Sequence, residues 1–408
     1  RACMAAHMWF DADGNMVRHK FVRGLMRSAA NLSYENFQAA FDGSPIEDAE
    51  PLVDPVIKPL FGAYAALAKA RAARQPLDIE MPERRIVLSA EGRVVDIRER
   101  ERLDAHKLVE NFMIAANVAA AETLEKKNQP CMYRVHEEPS MEKVAALREY
   151  LHELGFNLAK GQVMKPFVFN RVLERAENTP HDHVVNETVL RTQSQAYYSS
   201  ENQGHFGLAL ARYAHFTSPI RRYADLLVHR ALISGLKLGD DGLSGDDREH
   251  FDSTGEHISN TERRAMAAER DSTDRYMAAY LSDRVGSTFP ARISSVTRFG
   301  LFVNLLESGA DGLIPISTLG SDYFHHNAAH HRLEGDRSGK IHALGDRIEV
   351  RLLEANGISG AMRFELVEDA EGEGPPKAQV KPSPKRRRTM RKGPTKKSGA
   401  KKRRPKPS

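Results

Sequence analysis

The sequence predicts an α+β protein in three parts. A helix-rich body with two β-hairpins comes first, a small five-stranded barrel of the OB type follows from about Val285, and a disordered basic tail ends the chain. Three observations carry that expectation. Apolar residues recur at helical spacing over residues 104–127 and 141–154, and a long charged helix is expected over 252–284. From residue 285 the pattern changes to short apolar runs separated by turn residues. Residues 375–408 then hold 15 Lys/Arg with no Asp, Glu or aromatic residue. The expected boundaries are 1–284, 285–368 and 369–408.

Each element has its own reason. Over residues 5–23, "HMWF" and "VRHKFV" flank "DADGN", and Asp13-Gly14 is a strong turn dipeptide, so this is a hairpin. Asp11 and Asp13 are spaced to serve that turn and are not read as metal ligands. Residues 46–75 read as helical with an alanine-rich, basic end. "RRIVLSAEGRVVDIRER" (85–101) reads as a second hairpin turning near Gly92. Asp104 is placed as the cap of the next helix, with Leu108, Val109, Phe112, Met113, Ala116 and Ala120 as its buried stripe. Glu110 and Asn117, seven apart, share another face. Val144, Leu147, Leu151 and Leu154 line the helix at 141–154, which Gly155 stops.

The stretch "HFTSPIRRYADLLVHR" (215–230) poses the sharpest question. Ser218 is a preferred N-cap, and Pro219 suits a first helical position. Ile220, Ala224, Leu227 and Ala231 then fall on an apolar face, and Arg221, Asp225 and His229 on another. Two arginines at a helix start oppose the macrodipole. One reading is a surface Arg221–Asp225 ion pair. The other is an anion site, where guanidinium groups and free N–H groups converge on a phosphate or carboxylate. The stretch alone leaves both open.

The barrel strands are expected at "STFPARISSV", "GLFVNLL", "DGLIPIS", "DRIEVRLLEA" and "GAMRFELV". Phe299 and Phe302 bracket Gly300-Leu301, and aromatics on the face of such a barrel are platforms on which bases stack. "HHNAAHH" (325–331) is placed in a solvated loop, since no Cys or carboxylate supports a metal reading.

Charge is unevenly spread. The chain totals +5 and the tail alone carries +15, which leaves −10 for the remainder. Blocks "KRRR", containing Arg386, Arg387 and Arg388, and "KKRRPKP" suit nucleic-acid phosphates through counterion release. Two cysteines, Cys3 and Cys131, give no disulfide framework and predict a reducing, cytoplasmic setting. No apolar run approaches a membrane span, and no signal-peptide shape opens the chain. A start at Arg1 that runs straight into strand-like sequence leads to the expectation of a truncated N-terminus.

With these segments in view, a family resemblance emerges. "GHFGLALARYAHFTSPIRRYADLLVHR" (204–230) resembles the signature of the ribonuclease II/ribonuclease R (RNB) exoribonucleases. "LDAHKLVENFMIAANVAAAETLE" (103–125), "AERD" (268–271) and "ARISSVTRFGLFVNLLESGADGLIPISTL" (291–319) continue the resemblance, which covers roughly residues 1–367. The segment order and basic tail are most similar to the ribonuclease R branch. The resemblance implies an RNB catalytic domain, most of it present, followed by an S1-type OB barrel. It implies processive 3′-to-5′ hydrolysis of single-stranded RNA to nucleoside 5′-monophosphates by a monomer, with Mg2+ or Mn2+ and no membrane.

On that resemblance Arg221 is the catalytic arginine, reaching the scissile phosphate, where a fixed guanidinium stabilises developing charge. Glu269 matches a position near the RNA end, and Tyr34 and Glu110 match contacts to the terminal nucleotides. A ribose 2′-hydroxyl can donate to a carboxylate such as Glu110.

Departures are as informative. Asn111 replaces a second glutamate, Ile79 a clamping aromatic and Pro315 a barrel histidine. The family's aspartate cluster, spaced like D-x-x-x-x-x-D-x-D-D, does not occur in the sequence. The metal ligands are therefore expected outside this chain, and these residues are expected to be inactive alone. The alternative is a non-catalytic RNA-binding protein built from an RNB remnant, the barrel and the tail.

Overall fold

The computed structural model describes residues 1–367 apart from 160, 162 and 329. The basic tail, with Arg386, Arg387 and Arg388, lies outside the described residues. Strands β1 (Ala2–Phe10) and β2 (Met16–Leu25) form the first expected hairpin. Asp11 is a turn residue, its Oδ1 accepting the N–H groups of Asp13 (3.0 Å) and Asn15 (2.8 Å). Gly14 has φ +79°, and a Cβ there would collide with the Ala66 carbonyl, so only glycine fits.

Helix α1 (Tyr34–Phe41), capped by Ser33, precedes a short 3₁₀ and π run at residues 50–57 and helix α2 (Lys58–Arg74). Strands β3 (Arg84–Leu88) and β4 (Val94–Glu99) make the second hairpin. Helix α3 (Asp104–Lys126) follows. Its N-cap is Leu103, with no side-chain cap of its own; the Gln38 side chain of α1 accepts the Ala105 N–H at 2.9 Å. Asp104 is thus not the cap, because a residue distant in sequence supplies the acceptor. The stripe along α3 is wider than its periodicity suggests. Asn111, Ile114, Ala115, Asn117, Ala119 and Ala121 are buried too, while Val109, Phe112 and Met113 stay half-buried.

Strand β5 (Tyr133–Val135), helix α4 (Met141–Glu153), helices α5 (Pro166–Ala176) and α6 (Asp182–Thr192), strand β6 (Tyr197–Ser199), helix α7 (Tyr223–Leu236), the short α8 (Gly245–Glu249) and the long α9 (Phe251–Leu281) complete the body. Among the described residues no helix is long and apolar enough to cross a membrane.

The five expected barrel strands are all present: β7 (Thr288–Thr297), β8 (Gly300–Leu305), β9 (Asp311–Pro315), and, after an insertion, two more. The insertion corrects the expectation for residues 325–331. His325 and His326 belong to strand β10 (Phe324–Asn327), which pairs with β11 (Arg332–Gly335) and through it with β12 (Ile341–Ala343). These strands are too short and polar to announce themselves by alternation. Strands β13 (Arg347–Ala355) and β14 (Met362–Leu366) then close a barrel of order β13-β14-β9-β8-β7. Leu301, Val303 and Leu305 are 0–1% exposed, so odd positions of β8 fill the barrel and Phe302 points out. The barrel core is continuous with the core of α4, α5 and α6. A second core joins β1–β2 to α3 and α7, and a third joins α1 and α2 to Leu108.

Candidate functional site

Residues 205–222 run from beyond strand β6 to helix α7 with no helix or strand of their own, yet several of their backbone groups are held by side chains of neighbouring elements. Asn117 of α3 donates to the Tyr213 hydroxyl (2.9 Å) and accepts the Phe216 N–H (2.9 Å). His229 of α7 stacks on Phe216 with ring centroids 4.5 Å apart, and its Nε2 donates to the Phe216 carbonyl (2.8 Å). The Gly207 N–H donates to His136 Nδ1 (2.8 Å), which leaves His136 Nε2–H for the Ser194 carbonyl (2.8 Å). These side chains fix the segment because a buried backbone group left unpaired is costly.

Next comes a turn that differs from the sequence expectation. Helix α7 begins at Tyr223, not at Pro219, and Arg222 is its N-cap. The cause is Asp225, which is fully buried. Its Oδ1 accepts the Ser218 N–H at 2.6 Å, and the two oxygens take the Arg222 fork at 2.8 and 2.9 Å. Ser218 thereby becomes a donor to a carboxylate and not the helix cap, and residues 219–221 form a turn. Ile220, expected on the apolar face, is fully exposed at 101%. The ion pair is also not the one expected: Asp225 pairs with Arg222 and not with Arg221. Arg221 is exposed and makes no side-chain hydrogen bond or ion pair among the described residues. A guanidinium on a turn locked at both ends, with its own donors free, is ready for an incoming anion.

Two histidines of this segment are held neutral. Burial and the charges of Arg222 and Arg134 push the His215 imidazole down to about 2, so it is neutral, and its Nδ1 shares a hydrogen bond with the Tyr198 hydroxyl at 2.9 Å. Burial, with His136 and Arg134, brings His205 down to about 3. Arg134 itself pairs with Glu262 of α9 at 2.6 Å and lies over the Tyr198 ring at 4.7 Å.

A second cluster forms on α3. The Tyr34 ring stacks on His106 with centroids 4.1 Å apart and planes 20° off parallel. Glu110 is one helical turn beyond His106. Arg71 reaches Glu110 at 3.0 Å and Arg102 binds its other oxygen. The structure thus brings Tyr34 and Glu110 to one helix face.

Comparison with known proteins now decides the family. The RNB domain matches residues 1–237, more than half of the chain. The chain belongs to the RNB family. The S1 RNA binding domain matches residues 282–360. Ribonuclease R of Escherichia coli (strain K12) is 38% identical over 379 residues, covering 90% of this chain and 46% of that protein. Ribonuclease R of Aquifex aeolicus (strain VF5) is 37% identical, covering 91% of this chain and 53% of the relative. The chain spans about half the length of these curated relatives. Apo Mycoplasma genitalium RNase R superposes with TM-score 0.84 at 27% identity, over 90% of this chain and 58% of that one. The same figures hold for that protein in complex with ribose methylated single-stranded RNA. Yeast Ssd1, a pseudonuclease, shares the fold at 17% identity and TM-score 0.59. An RNB domain followed by an S1-type barrel is therefore the architecture.

The RNB-derived residues occupy separate places. Glu269 is exposed on α9, two turns beyond Glu262 on the same stripe. Phe299 and Phe302 lie on the S1 barrel surface, 63% and 40% exposed, so neither is core. Phe302 stands between Ser295 of β7 and Leu313 of β9, and Arg298 lies over the Phe299 ring at 4.6 Å. Ile79 packs against the barrel-side core. No hydrogen bond, ion pair or ring contact joins Arg221 to Tyr34, Glu110, Glu269, Phe299 or Phe302 among the described residues. Asn117, Arg222 and Asp225, which build the Arg221 turn, and His106, Arg71 and Arg102, which hold Tyr34 and Glu110, were not read as site residues from sequence. Only the i, i+4 spacing of His106 and Glu110 carried a signal.

The divalent metal implied by the family does not fit the residues described. Among them no group of three or more His, Cys, Asp or Glu side chains could hold an ion. Asp225 is committed to Ser218 and Arg222, and Glu110 to two arginines.

Proposed function

We propose that this chain is the Arg221-bearing and S1-bearing part of a 3′-to-5′ exoribonuclease that hydrolyses single-stranded RNA to nucleoside 5′-monophosphates. The observation that carries the reading is the Arg221 turn: an unpartnered guanidinium displayed by a buried Asp225–Arg222 pair within the RNB match. Such a group stabilises charge that develops on a phosphoryl oxygen without reorganising at the moment of reaction. Tyr34 and His106 offer a stacking surface for the terminal base, and Glu110 an acceptor for its ribose 2′-hydroxyl. Glu269 contacts the RNA end. Phe299 and Phe302 stack bases on the S1 barrel, and the basic tail, Arg386, Arg387 and Arg388 included, adds phosphate contacts of any sequence. Mg2+ or Mn2+ is held by ligands outside the described residues, so residues 1–408 alone bind RNA and release no nucleotide.

The test pairs binding with turnover. Residues 1–408 should bind single-stranded RNA in a fluorescence-anisotropy titration and release no 5′-monophosphate on chromatography. Supplying an RNB segment that carries the aspartate cluster, fused or in trans, should bring metal-dependent release. In that active form Arg221→Lys keeps the charge but loses the planar fork. Turnover should then fall by orders of magnitude while RNA affinity falls little. Equal losses in both would make Arg221 a ground-state phosphate anchor and sink the assignment.

A non-catalytic RNA-binding protein is the second reading, and the commitment of Asp225 and Glu110 to arginines favours it. Persistent lack of release with the aspartate segment supplied would select it.

A further inference from the structure

The β1–β2 hairpin has one face that neither the core nor the Arg221 site uses. Its inner face is fully engaged. Phe21 is 4% exposed and meets the Phe216 ring edge-on at 5.1 Å, His19 Nε2 contacts the Thr123 hydroxyl at 2.9 Å, and Arg23 is taken by Asp241 at 2.6 and 3.0 Å. The outer face is different in kind. Register places Trp9 opposite Arg18 and His7 opposite Lys20. Alternation along both strands puts these four side chains together on that face.

Trp9 is the only tryptophan of the chain and is 38% exposed. The Arg18 guanidinium lies over its ring at 3.8 Å, and the His7 ring stacks beside it at 6.2 Å and 26°. Lys20 is exposed and has no hydrogen-bond or ion-pair partner among the described residues. Neither strand contains an Asp or Glu. A large aromatic near the end of β1 on a solvent face, beside Arg18 and Lys20 with no acidic residue on either strand, gains little from folding. The same pairing of arginine over an exposed ring recurs at Arg298 and Phe299 of the S1 barrel.

We infer that the outer face of this hairpin is an accessory single-stranded RNA site, in which a base stacks on the Trp9 indole while Arg18 and Lys20 take the flanking phosphates. In the absence of RNA, Arg18 rests on the ring. An exposed cation–π contact is weak compared with base stacking, and the guanidinium gains a phosphate when it moves aside. The site reads no sequence, because every base presents a π-face. It lies on the opposite side of the hairpin from the Phe216 segment, so it holds RNA outside the Arg221 turn. The inference shares single-stranded RNA with the proposed function but does not depend on Arg221 or on hydrolysis.

The lone tryptophan makes the test direct. Titrating the full chain with oligoadenylate, and exciting where tyrosine does not absorb, should quench Trp9 emission saturably. The midpoint should match that from anisotropy of the same labelled RNA. Trp9→Ala should weaken binding about 5- to 150-fold. Arg18→Ala with Lys20→Ala keeps the reporter and should flatten the slope of log affinity against log salt by about 1.4. Circular dichroism melts confirm that each variant is folded. RNA that binds with unchanged emission and unchanged affinity for Trp9→Ala overturns this site and leaves the proposed function standing. No RNA binding by any variant overturns both. Emission that responds to protein concentration without RNA would reassign the face to protein contact and equally overturn the inference.

Discussion

Replacing Asp225 with alanine is the most revealing single change to the Arg221 turn. Asp225 is 0% exposed and Arg222 is 19% exposed, so the pair sits almost wholly out of water. Alanine would leave the Arg222 fork without a counter-charge and the Ser218 N–H without its acceptor. Removing one partner of a buried ion pair costs ~3–5 kcal/mol. Partial access of water to Arg222 lowers that to ~2–4 kcal/mol. The pairwise part is separable. Arg222→Met removes the charge but keeps an apolar stem, so the double variant should be less destabilised than the sum of the singles by ~2 kcal/mol. Urea unfolding followed by circular dichroism reads all four proteins, with midpoints shifting and slopes preserved. A cost below ~0.5 kcal/mol for Asp225→Ala, or coupling within that error, would refute the claim that this pair holds the turn.

Three further outcomes follow from other parts of the molecule. Phe299→Ala and Phe302→Ala should each lose ~1–3 kcal/mol of single-strand affinity with the melting temperature nearly unchanged; a large fall in melting temperature with normal affinity per folded molecule would assign them to packing. His205 and His215 are held neutral in the fold, at about 3 and about 2, by burial first and neighbouring positive charge second. The unfolded chain binds those protons from about pH 6.5 downward, so each histidine removes ~1.4 kcal/mol of stability per pH unit lost below that value, until the folded values are reached. His215→Gln should flatten the stability profile between about pH 6 and pH 4 by that amount; an unchanged slope would contradict a neutral buried imidazole. Deleting residues 375–408 should weaken binding to RNA of every sequence and reduce its salt dependence, as loss of 15 positive charges requires; an unaltered salt slope would show that the tail is no RNA arm.

Much of this architecture was legible in the sequence because its signals are local. Asp13-Gly14 marks the hairpin turn because glycine alone fits at φ +79° against Ala66. The five barrel strands announce themselves because one side of each must fill the barrel and the other meet water. The RNB motifs pointed to Arg221, and exposure of Phe299 and Phe302 agrees with their reading as surface aromatics. What local signals could not settle is which partners meet. Ser218-Pro219 has the chemistry of a helix start, yet the helix begins at Tyr223 because the Asp225 carboxylate, once buried, takes the Ser218 N–H and the Arg222 fork. Which of two adjacent arginines is paired and which is free depends on the path of the turn, and periodicity does not encode that path. Asn117 looked like one more polar position on α3, but it bonds to residues 96 and 99 positions away. The sequence by itself determined the two hairpins, the five barrel strands, the long helices and the family, since apolar period, turn dipeptides and motif order are properties of neighbouring residues. Only the tertiary structure decided that Arg221 stands free while Arg222 is buried with Asp225, and that Glu110 is gripped by Arg71 and Arg102, because burial and charge pairing are set by what the folded chain brings together.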